Sequence, residues 1–435
     1  MTRYVIIGAG VTAIAAGEAI RGLDARAEIT LICDDPSGYY SRPGLAYFLS
    51  GEVQEKQLFP YQAADYQPLA ASFVHAQATR IFPAEKRVEL NTAASISYDR
   101  LLIATGAQSV PLPTAGANLD GVYKLDHLQD ARRLIASAKR GRTAVVTGGG
   151  ITALELAEGL AARHVQVHYV LRGERYWPGV LDPSESKMIE DRLRRAGIRL
   201  HHRLEVTEIM GQQGKVSGVK LSSGEQLRCD LLAYAIGIAP RIALAQQAGI
   251  TCERGILVDQ YLQTNLPDIY AAGDVAQVYD PASGKYVLDS LWPLAREQGR
   301  AAGRNMACEP SVYTKSAAFN VTRLAGLTTT IIGAVGQGRD NDLVSIARGD
   351  SETWRDMPDT IVAQSGFDLN HLRLVIGEQH ILGAIVMGDQ RLSAALQMLI
   401  REKIEITPIR ARLLAPNAPI ADLLADFWVT TRANP

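Results

Sequence analysis

The sequence predicts an α/β fold built from two βαβ units, followed by a smaller C-terminal α+β domain. A glycine-rich turn between an apolar strand and a small-residue helix lies near the N-terminus, and the same order recurs from Arg142. After about Ala317 the pattern changes to short apolar strands and turns. With 435 residues, 47% of them hydrophobic, the chain can bury about three domain cores.

The first unit reads RYVIIGAGVTAIAAGEAIRGLDARAEITLICDD. Gly8 allows a tight turn, Gly10 lets backbone N–H groups approach a pyrophosphate, and Ala13 permits close packing of helix on sheet. The helix N-terminus adds partial positive charge. Asp34, at the end of the second strand, is predicted to bind an adenosine ribose, with Asp35 as the alternative. The pattern predicts a Rossmann-like dinucleotide-binding domain.

The second unit reads RTAVVTGGGITALELAEGLAARHVQVHYVLRGER, with Gly148, Gly150 and Ala153 at the three small-residue positions. It predicts a second Rossmann-like domain and a second dinucleotide. The acidic residue expected after the strand VHYVL is replaced by Arg172, which could hold the 2′-phosphate of NADPH. Alternatively Arg172 is solvated, and Glu174 or a backbone group serves NADH. Both coenzymes stay open.

Three further stretches complete a pattern: YDRLLIATGAQ with Thr105 and Gly106, LLAYAIGIAPR with Gly237, and NLPDIYAAGDVA with Gly273 and Asp274. In this order they resemble the two-dinucleotide-binding-domain flavoproteins of the pyridine nucleotide–disulfide oxidoreductase superfamily. The resemblance covers about the first three-quarters of the chain. It implies FAD on the first unit and NADH or NADPH on the second.

The resemblance also implies domain boundaries and residue roles. The FAD domain would comprise 1–111 and 240–316, the NAD(P)H domain 112–239, and the C-terminal interface domain 317–435. The residues implied to contact FAD are Gly8, Gly10, Ala13, Asp34, Arg42, Pro43, Gly273 and Asp274. Thr105 and Gly106 would mark the crossover between the domains. The residues implied to line the NAD(P)H site are Gly148, Gly150, Ala153 and Gly237, with Glu155 near the nicotinamide and the flavin.

Pro43 stands where the cysteine-dependent branch of the superfamily keeps a reactive thiol. The four cysteines, Cys33, Cys229, Cys252 and Cys308, form no Cys-x-x-Cys pair, and no metal site is predicted. The paired-thiol branch is excluded as well. Electrons are therefore expected to leave directly from the reduced flavin.

The stretch DSLWPLAREQGRAAGRNM suggests where they leave. It resembles a segment of ferredoxin and rubredoxin reductases in which a tryptophan lies at the flavin edge, here Trp292. Glu297, with the two residues after it, is expected to open a helix near the flavin pyrimidine and to stabilise its reduced form. Related reductases often pair the equivalent of Glu155 with a lysine, whereas this chain has Tyr47 at the lysine position.

The C-terminal part contains TTTIIGAVGQG, DTIVAQSG and LRLVIGEQHILGAIVMGD, which predict strands and a hairpin. RLSAALQMLIREKI predicts a helix, and the tail IADLLADFWVTTRANP predicts an amphipathic one. The stretch AAFNVTRLAGLTTTIIG resembles the flavin-binding part of NAD(P)H nitrite reductase large subunits. Because no siroheme region follows, we do not expect this chain to reduce nitrite unaided.

The leading hypothesis is an FAD-dependent NAD(P)H oxidoreductase. Hydride would pass from NAD(P)H to FAD, and single electrons would then pass to a rubredoxin- or ferredoxin-like carrier. The alternatives are a reductase of quinone or another diffusible acceptor, and a redox-responsive binding flavoprotein resembling apoptosis-inducing factor. A net charge of −1 predicts no nucleic-acid partner, and short apolar runs predict a cytoplasmic protein without a transmembrane segment. A homodimer is left open.

Overall fold

The structure is a computed structural model that describes residues 1–61, 63–280, 284–335, 344–349 and 370–433. It divides into two compact units. The first comprises Met1–Gly173 and Ala196–Lys315, and the second comprises Glu174–Arg195 and Ser316–Pro435. The second unit includes a segment that the predicted boundaries assign to the NAD(P)H domain; those boundaries stay a prediction.

The described part of the chain contains both strands and helices, with runs of consecutive strands at 71–123 and 199–240. The strands are β1 (Arg3–Ile7), β2 (Glu28–Cys33), β3 (Ala71–His75), β4 (Ala78–Phe82), β5 (Arg87–Leu90), β6 (Ser95–Ser97), β7 (Arg100–Ile103), β8 (Ala107–Ser109), β9 (Val122–Tyr123), β10 (Thr143–Thr147), β11 (Gln166–Leu171), β12 (Arg199–His202), β13 (Val206–Gln212), β14 (Lys215–Leu221), β15 (Gln226–Arg228), β16 (Leu231–Tyr234), β17 (Ile238–Pro240), β18 (Ile256–Leu257), β19 (Ile269–Ala271), β20 (Ala276–Asp280), β21 (Lys285–Leu288), β22 (Phe319–Leu324), β23 (Leu327–Gly333), β24 (Val344–Gly349), β25 (His371–Ile376) and β26 (Ile381–Met387). The helices are α1 (Val11–Leu23), α2 (Gly44–Ser50), α3 (Ala63–Tyr66), α4 (Leu128–Ser137), α5 (Ile151–Ala162), α6 (Pro183–Arg195), α7 (Ala243–Gln247), α8 (Trp292–Met306), α9 (Ser393–Arg401), α10 (Thr407–Leu413) and α11 (Ile420–Ala433).

The first unit contains two parallel five-stranded sheets. One has the order β19-β7-β1-β2-β3 and the other β12-β11-β10-β16-β9, and each adjacent pair of strands is parallel. Strands β1 and β10 lie inside their sheets, and their central residues are buried, as in strands covered on both faces. Each is followed by its glycine turn and helix, so the two predicted Rossmann-like units are confirmed.

Helices α1 and α8 pack with their backbones in close contact. A Cβ atom at Gly299 would approach the Thr12 carbonyl oxygen to 2.3 Å, and one at Gly303 would approach the Ala16 carbonyl oxygen to 2.4 Å. The buried Thr12 hydroxyl also donates to the Ala295 carbonyl, 3.1 Å away. Small residues on one face of α8 therefore fix this helix against the helix that opens the first βαβ unit.

The second unit is built on an antiparallel sheet of order β22-β23-β26-β25-β24. Strands β25 and β26 form the predicted hairpin, and α9 and α11 confirm the two predicted C-terminal helices. Leu396 and Leu424 contribute to the same apolar core as the sheet. The predicted strand DTIVAQSG and the end of TTTIIGAVGQG lie outside the described residues.

A buried ionic cluster joins α6 to this sheet. Glu185 is fully buried, and one of its carboxylate oxygens accepts hydrogen bonds from His371 and Arg373, each 2.9 Å away. Its other oxygen accepts the backbone N–H of Asp182 at 2.8 Å, as in a capping box. Asp182, Glu185 and His371 hold their donor atoms within 4.8 Å, the spacing of a metal site. The Arg373 guanidinium already neutralises Glu185, so we assign the cluster a structural role.

Candidate functional site

The turn after β1 fits a phosphate group. Gly8 has a φ of +124°, and a Cβ atom there would lie 2.2 Å from the Ala104 carbonyl oxygen, so the turn requires glycine. Gly10 precedes α1 without a side-chain cap, and a Cβ atom there would meet no protein atom within 4 Å. The first N–H groups of α1 therefore face open space, where an anion can accept them. Ala13 is fully buried, as the predicted close packing requires.

The two acidic residues after β2 have different environments. Asp34 is exposed, whereas Asp35 accepts hydrogen bonds from the Ser37 N–H at 2.9 Å and the Tyr40 hydroxyl at 3.0 Å. Burial raises the pKa of Asp35, but hydrogen bonds from His127, Ser37 and Tyr40 outweigh it and lower the pKa to about 2. Since Asp35 is committed to internal contacts, the geometry favours Asp34 as the ribose ligand.

Arg42 is held in place by Asp126. Its guanidinium forms an ion pair with the Asp126 carboxylate and donates to the Asp126 carbonyl oxygen at 3.0 Å. The carboxylate side chain is 4% exposed, with Lys124 at 3.2 Å and Arg241 at 3.8 Å. Burial raises the pKa of Asp126, but Arg42, His127 and Lys124 shift it below its ordinary value. Asp126 is therefore an anionic anchor beneath a predicted flavin-contacting residue.

Asp274 lies near Arg42. Burial raises the pKa of the Asp274 carboxyl, and the Arg42 charge opposes this shift. The preceding Gly273 has a φ of +78°, and a Cβ atom there would meet the Thr12 hydroxyl at 2.3 Å. The Gly273 N–H donates to the side-chain oxygen of the fully buried Gln298, 2.8 Å away. Glycine geometry and Gln298 thus fix the turn that presents Asp274.

Thr105 and Gly106 contact Arg241 in the segment that follows β17, and their assignment to the crossover between the domains stays a prediction. The Thr105 hydroxyl donates to the Arg241 carbonyl at 3.1 Å, and the Arg241 N–H donates to the Gly106 carbonyl at 2.9 Å. Strands β8 and β17 pair antiparallel directly beyond these residues. The two connections between the parallel sheets therefore run side by side.

The turn after β10 repeats the geometry of the first. Gly148 has a φ of +143°, and a Cβ atom there would meet the Ala235 carbonyl oxygen at 2.2 Å. Gly150 precedes α5 without a side-chain cap and has no protein atom near its missing Cβ. Ala153 is fully buried, and Gly237 has a φ of +129° beyond the neighbouring strand β16. This second helix N-terminus also suits a pyrophosphate.

Arg172 follows β11 and extends into solvent. Its side chain is 87% exposed, and its guanidinium nitrogen lies 3.7 Å from the Glu205 carboxylate. An exposed pair of this kind contributes little to stability, so Arg172 is available to a ligand. This placement does not decide between NADH and NADPH, because Glu205 competes with a 2′-phosphate for the Arg172 guanidinium.

Pro43 immediately precedes α2, which contacts α5, the helix that carries Glu155. Glu155 is half-buried on α5. A Cβ atom at Gly159 on α5 would lie 2.6 Å from the Leu49 side chain on α2. Tyr47 and Glu155 each take part in interactions within the structure. Glu155 is therefore not left unpaired by the replacement of the lysine.

Helix α8 begins at Trp292, with Pro293 in its first turn. The expectation that Glu297, Gln298 and Gly299 open this helix is therefore wrong, because they lie more than one turn inside it. Trp292 is 39% exposed, while Glu297 is exposed and Gln298 is buried. The helix end predicted to face the flavin consequently carries the tryptophan, and Glu297 lies farther along.

All four cysteines are free thiols. Burial raises the pKa of Cys33 and raises that of Cys229 to about 12, so both thiols resist ionisation. A raised pKa disfavours the thiolate that cysteine-dependent flavoenzymes require.

Sequence reasoning missed Asp126, and it singled out Gln298 only as part of the expected start of α8. Both are polar side chains that are almost fully buried and that hold predicted site residues from distant positions in the chain. No local motif marks Asp126, and Gln298 is one of two buried polar residues on α8, the other being Asn305.

Comparison with known proteins decides the family. Residues 2–299 match the pyridine nucleotide-disulphide oxidoreductase family. The chain belongs to this family. It is an FAD-dependent NAD(P)H oxidoreductase, and the helix N-termini after Gly10 and Gly150 suit the pyrophosphates of two dinucleotides.

Similar family members include the NADH-dependent phenylglyoxylate dehydrogenase subunit epsilon of Aromatoleum evansii, 28% identical and aligned over 98% of each chain. The ferredoxin–NAD(+) reductase component of the Paraburkholderia xenovorans biphenyl dioxygenase system is 30% identical, over 86% of this chain and 87% of that protein. The ferredoxin reductase for the CYP199A2 system of Rhodopseudomonas palustris shares the fold, with a TM-score of 0.85. It is 24% identical, over 97% of this chain and 99% of that one. Within the described residues, no helix has the length and hydropathy needed to cross a bilayer.

Proposed function

We propose that this family member transfers electrons from NAD(P)H, by way of FAD, to a small electron-carrier protein of the ferredoxin or rubredoxin type. The observation that carries the proposal is Trp292, which is 39% exposed at the start of α8. Gln298 on the same helix is hydrogen-bonded to the turn that presents Asp274. The same helix thus carries both an exposed aromatic ring and the buried residue that holds the turn of the predicted flavin site. The 30% identical ferredoxin reductase component supports this acceptor class.

When bound, FAD supplies the exchange between two-electron and one-electron chemistry. The protein contributes binding and orientation. The N–H groups after Gly10 would hold the FAD pyrophosphate, Asp34 the adenosine ribose, and Asp274 the ribitol or pyrophosphate region. Arg42, fixed by Asp126, would add positive charge beside Asp274.

The second glycine turn would position the coenzyme. The N–H groups after Gly150 would bind the NAD(P)H pyrophosphate, with Gly148, Ala153 and Gly237 giving the backbone room to approach. Glu155, on the helix that follows, would lie near the nicotinamide. Arg172 would bind the 2′-phosphate if NADPH is the coenzyme. An Arg172→Ala variant should then have a higher KM for NADPH than the unmodified protein and the same KM for NADH. If the substitution changes the two KM values equally, Arg172 does not have this role.

The test is an anaerobic stopped-flow experiment on the flavin-loaded protein. NADH or NADPH reduces it, and the reduced protein is mixed with oxidised rubredoxin, ferredoxin or a soluble quinone. Fast reoxidation by a protein carrier supports the proposal. Fast reoxidation by quinone alone would replace it with the diffusible-acceptor alternative.

A second candidate is favoured by the match over 98% of each chain to a dehydrogenase subunit. The chain would then deliver electrons within a larger complex. Reduction by NADH with no reoxidation by any free acceptor, together with elution beside larger partners from native extracts, would favour it.

A further inference from the structure

A short segment after β9 joins the two parallel sheets of the first unit. Strand β9 is an edge strand of the sheet that contains β10, whereas Asp35 and Arg42 lie between β2 and β3 of the sheet that contains β1. Asp126 and His127 follow β9; the first pairs with Arg42, and the second faces Asp35. We call Asp126 and His127 the latch. It connects the sheet of the predicted NAD(P)H site to the sheet of the predicted FAD site.

The contacts of His127 fix the position of its proton. The Arg241 guanidinium donates to Nε2 of His127 at 2.9 Å, so this nitrogen presents a lone pair. A neutral imidazole then carries its proton on Nδ1, which lies 3.6 Å from an Asp35 carboxylate oxygen. His127 is therefore an acceptor toward Arg241 and a donor toward Asp35.

Asp35 also holds the backbone beside His127. The carboxylate oxygen that faces His127 accepts the Tyr40 hydroxyl at 3.0 Å, and that hydroxyl accepts the Leu128 N–H at 3.0 Å. With its pKa of about 2, the Asp35 carboxyl stays ionised at neutral pH and keeps attracting these donors. The side chain of His127 and the backbone of Leu128 are thus both tied to Asp35.

A separate contact between the same two sheets is apolar. Helix α2 follows β2, helix α5 follows β10, and the two pack where Gly159 meets the Leu49 side chain. A single contact would leave a pivot about which the sheets could turn, and a second contact restricts this rotation. Orientation matters to hydride transfer, because a misplacement of about 1 Å can slow such a step about 100-fold.

We propose that His127 is a positioning residue for hydride transfer, and that it holds the two sheets in their reactive orientation through Asp35. It acts through this carboxylate and not by contact with either cofactor. The inference goes beyond the proposed function, since it concerns the reduction of the flavin and is independent of the electron acceptor.

Two substitutions of His127 separate its donor from its other properties. Serine and asparagine both cap helices well, so each preserves the start of α4 at Leu128. The asparagine amide offers an N–H donor where Nδ1 stands, whereas the shorter serine hydroxyl does not reach Asp35. His168→Ser is the control. His168 is a half-buried histidine on β11, three strands from β9, and is hydrogen-bonded to His201 at 2.9 Å.

The experiment uses the flavin-loaded protein. Anaerobic stopped-flow reduction by NADH or NADPH gives the limiting rate of flavin reduction and the coenzyme dissociation constant separately. Coenzyme deuterated at C4 of the nicotinamide shows that the measured step is hydride transfer. Hydrogen–deuterium exchange of residues 122–128, measured without coenzyme, reports directly on the latch.

We expect His127→Ser to lower the limiting rate about tenfold while the deuterium isotope effect persists. The coenzyme dissociation constant should not change, because the glycine turn at Gly150 is left intact. The backbone amides of residues 122–128 should exchange faster. His127→Asn should restore most of the limiting rate, and His168→Ser should match the unmodified protein.

Four results would overturn the positioning role. The first is an unchanged limiting rate in His127→Ser. The second is an equal loss in His127→Ser and His127→Asn, since the donor toward Asp35 would then have no effect. Equal slowing in His168→Ser would indicate a general loss of stability, and loss of bound flavin from His127→Ser would assign His127 to FAD retention instead. The acceptor takes no part in these measurements, so a failure of the proposed carrier function is observed separately.

Discussion

Replacing Asp126 with Asn tests whether a buried anion organises the FAD site. The change keeps the size of the side chain and removes its charge. Arg42, Lys124 and Arg241 then face one another without the carboxylate that neutralises them. The guanidinium of Arg42 also loses the partner that fixes its direction.

The structure sets the size of the effect. Breaking a fully buried ion pair costs about 3–5 kcal/mol of stability, and a hydrogen bond to a charged group contributes about 1.5–3 kcal/mol. Arg42 and Lys124 are 40% and 34% exposed, so solvent recovers part of the loss. We therefore expect a decrease of about 1–3 kcal/mol in the free energy of unfolding. FAD should bind about tenfold more weakly, which corresponds to about 1.4 kcal/mol.

The assay combines urea unfolding at saturating FAD with flavin titration of the stripped protein. Asp99→Asn is the matched control, because Asp99 pairs with Arg3 at 2.9 Å but lies at the surface, with a side chain 37% exposed. That pair should contribute less than about 1 kcal/mol and leave FAD affinity unchanged. Equal unfolding energies and equal FAD affinities for the two variants would refute the role assigned to Asp126.

Three further predictions follow from the structure. Gly8→Ala should fail to fold or lose FAD, because the added Cβ meets the Ala104 carbonyl oxygen. Gly10→Ala should keep its circular dichroism spectrum and lose only the flavin, because its Cβ meets no protein atom. A folded Gly8→Ala protein that retains its flavin would contradict this. The pKa of Asp35 is about 2 in the folded protein and 3.8 ordinarily, so the ionised carboxylate stabilises the fold by about 1 kcal/mol after solvent screening. This contribution to the free energy of unfolding should be complete above pH 4 and vanish as the pH falls to 2. Urea unfolding of the unmodified protein and of Asp35→Asn across this pH range checks it. Glu185→Gln should destabilise the chain by about 3–5 kcal/mol, since it leaves Arg373 buried without a counter-charge, and an unchanged denaturant midpoint would be inconsistent with that.

Local backbone requirements made the two glycine turns predictable. Gly8 and Gly148 have positive φ and approach a carbonyl oxygen from the neighbouring part of the sheet, so the sequence must keep glycine there. Alternating apolar strands and helices likewise predicted the parallel sheets. The Trp-Pro pair is a local signal for the start of α8 at Trp292. The resemblance instead placed the start at Glu297, which is wrong.

The contacts that hold the site residues could not be predicted in this way. Arg42 and Asp126 are 84 positions apart, and Gly273 and Gln298 are 25 apart, so only the fold brings each pair together. A buried carboxylate or amide carries no sequence pattern of its own. Its partner depends on which loops converge at the ends of the parallel strands.

Helix α8 contributes to cofactor binding and to the protein surface, because its faces make different contacts. Gly299 and Gly303 bring it against α1, whose N-terminus is the predicted pyrophosphate site. Gln298 holds the turn that presents Asp274, and Arg300 and Arg304 are exposed to solvent. A change on one face therefore need not disturb the others, since each makes separate contacts. Substitution of Arg300 or Arg304 should consequently leave the contacts of the same helix with α1 and with the Asp274 turn intact.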